Sequence, residues 1–379
     1  MNFSWGENDQ SIFDQCVRFA RARLGSADND PRPLWRDCGA LGIFDACIPT
    51  ARNAALGGGG ALRAARVMEA LGYGAADMGS VFGLAAHTFA CAVPTQLFCD
   101  NDVTRSIAER LRRGEAIGAN AITEAGAGSD AFALEATGRR EDGHYVLSAV
   151  KTYVTNAAAC DELLVYVKTD PDAGYLGISA FLVDRHAPGV KVGPPIQKMG
   201  LESASLASVI LEDCRVPVER RLGPEGGGAR IFTTSMQWER ACLFGAYLGQ
   251  MDLQLQECVE HARERKQFGR AIGTNQAIAH RLANMKLRLE AARLLLYRAS
   301  WLIDQGEDAT LSISLAKIAV SEAAVESGLD AIQIFGGLGY VRDGAVEKRL
   351  RDAVAARIFS GTSEIQRDIV ASRLSRLAR

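Results

Sequence analysis

Three clusters of glycines and polar side chains hold the residue types that could grip a ligand with phosphate or polar ring atoms. The first is Thr123-Glu124-Ala125-Gly126-Ala127-Gly128-Ser129-Asp130, where glycines let a backbone approach a ligand and hydroxyls can bond ring or phosphate oxygens. The second is Arg265-Lys266-Gln267-Phe268-Gly269, followed by Gln276. The third is Gln333-Ile334-Phe335-Gly336-Gly337, with Gly361-Thr362-Ser363-Glu364 downstream. Taken singly, an ordinary turn or helix cap accounts for each. Several other chemistries are excluded. The chain has no GxxxxGKS/T phosphate loop and no HExxH, and histidines 87, 144, 186, 261 and 280 lack metal-ligand spacing, so no metal is expected. Gly126-Ala127-Gly128 has two glycines of a dinucleotide fingerprint but no third, and it precedes an extended region instead of opening a helix.

The elements that must position these clusters fall into three textures across 379 residues, a length that fits two or three domains. Residues 1–116 read as a helical domain: Phe13, Val17, Ala20 and Leu24 recur at helical spacing, and further helices are expected near Ala61–Leu71 and Val81–Ala92, after a turn at Gly57–Gly60. Residues 117–224 change to an extended period. A turn at Glu141-Asp142-Gly143 feeds a strand from His144, and others are expected at Leu163–Val167, Ile178–Val183 and Val209–Leu211, giving a small barrel or sandwich of short strands. All ten prolines lie between Pro31 and Pro224, so residues 225–379 contain none. A run of helices explains that, because proline costs about 3 kcal/mol inside a helix. Ile278, Leu282, Met285, Leu289, Ala292, Leu296, Ala299 and Ile303 step alternately by four and three, an apolar seam suited to a helix bundle. A further helix is expected from about Leu311 to Ile334, stopping at Gly336-Gly337. The fold class is α+β, with the β part in the middle.

With 43 basic against 45 acidic side chains the charge is balanced, which argues against a general nucleic-acid binder. The N-terminus lacks a signal-like pattern, and no stretch is expected to span a membrane. Nine scattered cysteines without a CxxC pair read as reduced thiols, so a soluble cytoplasmic protein is expected.

Together and in this order, ITEAGAGSD, KTYVTN, KMG followed by LEDCRVP, RKQFGRAIGTNQAIAHRLANMK, IQIFGGLGY and FSGTSEIQR resemble the acyl-CoA dehydrogenase family over nearly the whole chain. The resemblance implies an N-terminal helical domain, a central β-barrel and a C-terminal four-helix bundle, with FAD bound between them, usually in a homotetramer. It implies that Thr123, Gly128 and Ser129 touch the flavin ring or its phosphates, and that Tyr153 takes the place where the family often has tryptophan, with Thr155 beside it. Arg265, Phe268, Gln276, Gln333 and Gly337 would hold the FAD of a neighbouring subunit, with Thr362 and Glu364 near its adenosine end.

The reaction of that family needs a carboxylate to take the α-proton of an acyl thioester while hydride leaves to the flavin. Most members place it in a YEGT motif, but here the text is Phe359-Ser360-Gly361-Thr362, and an unassisted serine hydroxyl is too weak a base. A minority carry the glutamate on a helix early in the C-terminal domain, immediately before an arginine, where this chain has Trp238-Glu239-Arg240. The resemblance therefore implies Glu239 as base, its pKa raised by an apolar pocket, with a backbone N–H at Ser360 or Glu239 polarising the thioester carbonyl.

Longer segments, among them SMQWERACLFGAYLGQM and IFSGTSEIQ, resemble the flavoprotein dehydrogenases that oxidise prolyl groups held on a peptidyl carrier protein in secondary metabolism. In those, too, serine stands at the usual glutamate position. The implied substrate is an aminoacyl or acyl chain on a phosphopantetheine arm. An ordinary short- or branched-chain acyl-CoA dehydrogenase stays open, as does an FAD-retaining oxidase, monooxygenase or binding protein, and the electron acceptor is an electron-transfer flavoprotein or oxygen. Two departures stand out. The family commonly has arginine shortly after the Met-Gly pair, where this chain has Glu202, a charge that would repel a phosphate-bearing substrate, and Pro49-Thr50-Ala51-Arg52 replaces a PEEYGG-like turn.

Overall fold

A computed structural model describes residues 4–25, 30–50, 60–342 and 345–377. The segment 51–59, with the second half of the altered turn and most of the glycine run, lies outside them. The chain opens as helices: α1 (Glu7–Arg23), α2 (Arg32–Ala40), α3 (Ile43–Cys47), α4 (Ala61–Gly74), α5 (Met78–Phe98) and α6 (Asp102–Arg112). Asp77 caps α5 by accepting from Ser80 N–H, and Asn101 with Thr104 forms a capping box on α6. Contrary to expectation, α5 is long and apolar enough to cross a membrane, with a mean hydropathy of 1.3, but 72% of that stretch is buried inside the protein. It is a core helix. Its turns Ala86–Ala92 open to π geometry, and there the buried His87 joins it to α6 and to the sheet: Nε2 bonds Leu111 O at 3.2 Å and Nδ1 accepts the N–H of Gly118, in the first strand, at 2.9 Å. Burial pushes this imidazole down to about 4, so it stays neutral.

Eight strands follow: β1 (Gly118–Ala121), β2 (Thr137–Glu141), β3 (His144–Thr155), β4 (Glu162–Lys168), β5 (Ile178–Asp184), β6 (Val190–Val192), β7 (Leu206–Pro217) and β8 (Arg221–Leu222). They form one sheet in the order β6-β7-β3-β2-β4-β5-β8, with β1 parallel to β4. Asp142 and Gly143 both have left-handed φ, 38° and 78°, as a tight hairpin between β2 and β3 requires. The strands are longer than the short ones expected, because β3 and β7 run twelve residues each and pair along most of that length. Bulges allow this by absorbing the register shifts between Leu147 and Ala149 and between Lys151 and Val154. Strands β4 and β5 are buried at six of seven positions: the helix Gly228–Cys242 packs on β5, and its Phe232 meets Tyr166 of β4 with ring centroids 5.7 Å apart.

Among the described residues the proline-free part is helices joined by turns, with one small hairpin. It comprises α7 (Gly228–Cys242), α8 (Gly245–Glu264), the hairpin β9 (Lys266–Gln267) and β10 (Arg270–Ala271), α9 (Gln276–Asp304), α10 (Thr310–Phe335), α11 (Gly337–Tyr340), α12 (Val346–Val354) and α13 (Ser363–Leu377). The predicted seam on α9 holds, with Met285, Leu289, Ala292, Leu296 and Ala299 buried. Arg281 and Arg288 of α9 both pair with Asp330 of α10, so the start of α9 lies beside the end of α10. Helices α4 and α8 cross in close contact: a Cβ on Gly72 would meet Ala246 O at 2.0 Å, which only glycine avoids.

Candidate active site

Helix α7 buries Ile231, Ser235, Trp238 and Cys242 at helical spacing, and Glu239 falls on that same inward face, 7% exposed. A carboxylate there is expensive, since desolvating it costs several kcal/mol unless partners answer it. Two do. The hydroxyl of Ser360, 121 residues away in sequence, donates to Glu239 Oε1. The next residue on the helix, Arg240, donates Nε to the carbonyl of the same Ser360 at 2.6 Å. Burial pushes the Glu239 carboxyl above its ordinary range, while Ser360 and Arg240 pull it partly back. The result is a carboxylate more basic than a surface one, held in one orientation.

Ser360 has φ 55° and Gly361 φ 84°. Two successive left-handed residues turn the chain sharply between α12 and α13, and no hydrogen bond within the protein takes up the Ser360 N–H among the described residues. That N–H is free to bond a thioester oxygen. The alternative donor expected at Glu239 is not available, because Glu239 lies inside α7, where its N–H belongs to the helix ladder.

Beside this pair is a cavity of about 310 Å³ lined by Phe82, Tyr153, Thr155, Lys198, Met199, Leu206, Arg351, Ile358 and Phe359, among others. Its walls are largely apolar. Phe82 of α5 packs against Phe359 with ring centroids 4.7 Å apart, so α5 and the turn before Ser360 close one end. Tyr153, with φ 55°, sits at the bulge of β3 and is 62% exposed. Thr155 brings a hydroxyl to the same wall, and Asn156 ties this end of β3 to α5 through Gly83 O at 2.9 Å. The volume and the largely apolar lining suit a bulky aromatic ring system.

Thr123 belongs to this site too, since its carbonyl accepts Thr152 N–H at 2.9 Å next to Tyr153. Gly128 and Ser129 lie on the exposed loop beyond it. A Cβ on Gly128 would meet nothing within 4 Å and its φ is ordinary, so nothing in this chain demands glycine there; close approach of a ligand would. Gly337 is equally unconstrained. By contrast Glu124, within the first cluster, is engaged by the protein itself. Its carboxylate accepts the N–H groups of Glu135 and Ala136 at 2.6 and 3.1 Å and pairs with the buried Lys151 at 2.7 Å.

The remaining predicted contacts form a second group at one end of the bundle. His261 and Phe335 stack 4.2 Å apart, joining the end of α8 to the end of α10. Around that stack Arg265, Gln276, Gln333 and Gly337 are exposed, and Phe268, at the hairpin tip with φ 52°, is 99% exposed. Thr362 and Glu364 stand apart from this group at the start of α13, where Thr362 Oγ1 accepts Ile365 N–H at 3.3 Å. Glu202 departs from expectation: its charge is answered by Arg351 at 2.6 Å, so it ties the Met-Gly loop to α12 and leaves no free negative charge at the cavity rim. Sequence reasoning missed that tie, since nothing local links positions 149 residues apart.

A buried carboxylate bonded to Ser360, one residue beyond the Phe359 wall of a largely apolar cavity, suits dehydrogenation of an acyl thioester. Residues 119–214 match the family profile "Acyl-CoA dehydrogenase, middle domain", and residues 226–375 match "Acyl-CoA dehydrogenase, C-terminal domain". The chain belongs to the acyl-CoA dehydrogenase family. It is 47% identical to an L-prolyl-(peptidyl-carrier protein) dehydrogenase of Pseudomonas fluorescens, over 99% of this chain and 100% of that one. Among solved structures, "PigA with FAD and proline" superposes with a TM-score of 0.93 at 38% identity, covering 99% of both chains. The "Prolyl Acyl Carrier Protein Oxidase AnaB" superposes with 0.92 at 37% identity, covering 98% of this chain and all of that one.

Proposed function

We propose that this protein is an FAD-dependent oxidoreductase that dehydrogenates a prolyl group carried as a thioester on the phosphopantetheine arm of a peptidyl carrier protein, with Glu239 as base. The observation that carries the assignment is Glu239 itself. It is a buried carboxylate on an apolar helix face, and the serine that replaces the family's usual base bonds to it. The full-length likeness to prolyl carrier-protein dehydrogenases supports the substrate.

When bound, FAD supplies a two-electron acceptor for the departing hydride. The chain's own residues do the rest. The apolar walls of the cavity exclude water, which strengthens every polar contact within it. Glu239 takes the proton from Cα, and its raised pKa brings it nearer the acidity of that carbon. The N–H of Ser360 bonds the thioester oxygen as negative charge develops there, while its hydroxyl keeps the carboxylate aimed. Tyr153 and Thr155 would hold the flavin ring, Thr123, Gly128 and Ser129 the ring or its phosphates, and Thr362 and Glu364 the adenosine end. The exposed group of Arg265, Phe268, Gln276, Gln333 and Gly337 reaches the FAD of a second copy, so the working form is a homo-oligomer, a tetramer. A phenylalanine ring bare on a left-handed hairpin tip supports this, because such a surface gains from being covered. Electrons leave to an electron-transfer flavoprotein or to oxygen.

Mixing the FAD-loaded protein anaerobically with a carrier protein bearing prolyl, and separately with prolyl-CoA and butyryl-CoA, tests the assignment by loss of flavin absorbance. Rapid bleaching by the prolyl carrier protein alone is expected. Faster bleaching by butyryl-CoA would make it an ordinary acyl-CoA dehydrogenase, and no bleaching by any of them, with FAD retained, would remove dehydrogenation altogether.

A further inference from the structure

Lys317 of α10 is wholly buried, and its ammonium has no hydrogen-bond partner among the described residues. The Phe244 ring lies 5.8 Å away. The charges facing it come from four elements: Arg240 on α7, Glu322 on its own helix, Arg357 in the turn after α12, and Glu364 on α13. Two further buried polar atoms are also without partners, Ser363 Oγ and Gln366 Oε1, both at the start of α13 where it leaves the Ser360 turn.

Helices α10 and α13 pack together, and Gln366 of α13 meets Arg240 at Gly361. Gln366 donates Nε2 to Gly361 O at 3.4 Å, and a Cβ built on Gly361 would lie 2.7 Å from that Nε2 and 3.1 Å from Arg240 Nη2. The turn that aims Ser360 at Glu239 is thus gripped from below by Arg240 and Gln366. An apolar side chain as long as lysine would fill the same space without the cost of desolvating an amine, so the amine needs a counterpart. A buried water typically makes about three hydrogen bonds. Here it would accept from Lys317, donate to Gln366 Oε1 and exchange one bond with the Ser363 hydroxyl.

We propose that Lys317 is a positioning residue for the base: its buried amine, joined through bound water to Ser363 and Gln366, fixes the Ser360-Gly361 turn and thereby the orientation and charge of Glu239. This rests on Glu239 being the base. Burial and Arg240 lower the amine to about 8, so it is still largely protonated at neutral pH. A positive charge beneath Arg240 favours the ionised form of Glu239, and removing it lets the carboxyl pKa rise further.

The test is single-turnover flavin bleaching by the prolyl carrier protein as a function of pH, in FAD-loaded Lys317→Met and Gln366→Leu, with Glu239→Gln run alongside. Lys317→Met is expected to keep its FAD and its substrate affinity, to lose about tenfold in the plateau rate, and to move the acid limb of the profile to higher pH. Gln366→Leu moves the limb the same way, and the double variant adds nothing further, because both act through one network. An acid limb and plateau unchanged in Lys317→Met, with Glu239→Gln inactive, overturn the positioning role alone. Should Lys317→Met fail to fold, an unchanged limb in Gln366→Leu overturns it instead. Bleaching that survives in Glu239→Gln overturns the base and the positioning role together.

Discussion

Glu239→Gln is expected to keep its yellow FAD and to bind the loaded carrier protein, yet to reduce its flavin at least about a thousandfold more slowly than the parent. The amide is close to the carboxylate in size and can still accept the Ser360 hydroxyl, so the fold should survive the change. What it cannot do is accept a proton. It also removes a buried negative charge that Arg240 answers. The rate effect is therefore large and one-sided. Stopped-flow absorbance on the purified variant reads it directly. Because burial holds the parent carboxyl above the usual range, the parent's reduction rate should rise with pH through a pKa higher than that of an exposed glutamate, and Glu239→Gln should lack that limb.

Glu124→Ala should cost roughly 3–5 kcal/mol of stability, the scale for breaking one partner from a buried ion pair. It strips Lys151, which is fully buried, of its only carboxylate among the described residues and leaves the N–H groups of Glu135 and Ala136 without acceptors. The loop those contacts close carries Gly128 and Ser129, so loss of FAD should accompany the lower melting temperature. Burial raises the Glu124 carboxyl, but the Glu135 N–H and the Lys151 ammonium outweigh it and leave the pKa below the usual range. The stabilisation is therefore present above the unfolded pKa and is lost as pH falls through the folded one. Thermal unfolding of parent and variant should accordingly differ most near neutrality and converge in acid. Equal melting temperatures at neutral pH would show that the pair contributes nothing.

Much of the fold was legible because it is periodic. The alternating steps of four and three from Ile278 to Ile303 placed α9, and the absence of proline after Pro224 marked the helical region. Strand lengths were less legible, since the bulges that let β3 and β7 pair over twelve residues leave little trace in hydrophobic alternation. The apolar stretch in α5 was passed over as a membrane-length segment, and only its burial shows what it is for. At the site, Glu239 was reachable from the missing glutamate at Ser360 and the tripeptide Trp238-Glu239-Arg240. The bond between the two residues was not, because long-range side-chain contacts have no local signature. The part played by Glu124 was hidden for a related reason: it sits within the first polar cluster but braces the loop, a role set by Lys151 on a strand 27 residues on. Lys317 gave no signal at all, since a lysine in an amphipathic helix pattern ordinarily faces solvent.

The central claim is that flavin reduction in this protein begins with removal of the Cα proton of a carrier-bound prolyl thioester. It is tested most directly by loading the carrier protein with prolyl deuterated at Cα and following single-turnover bleaching beside the unlabelled form. The account predicts that deuterium slows bleaching several-fold at pH values where Glu239 is ionised. Identical rates for the two substrates, with chemistry shown to limit the step, would contradict it.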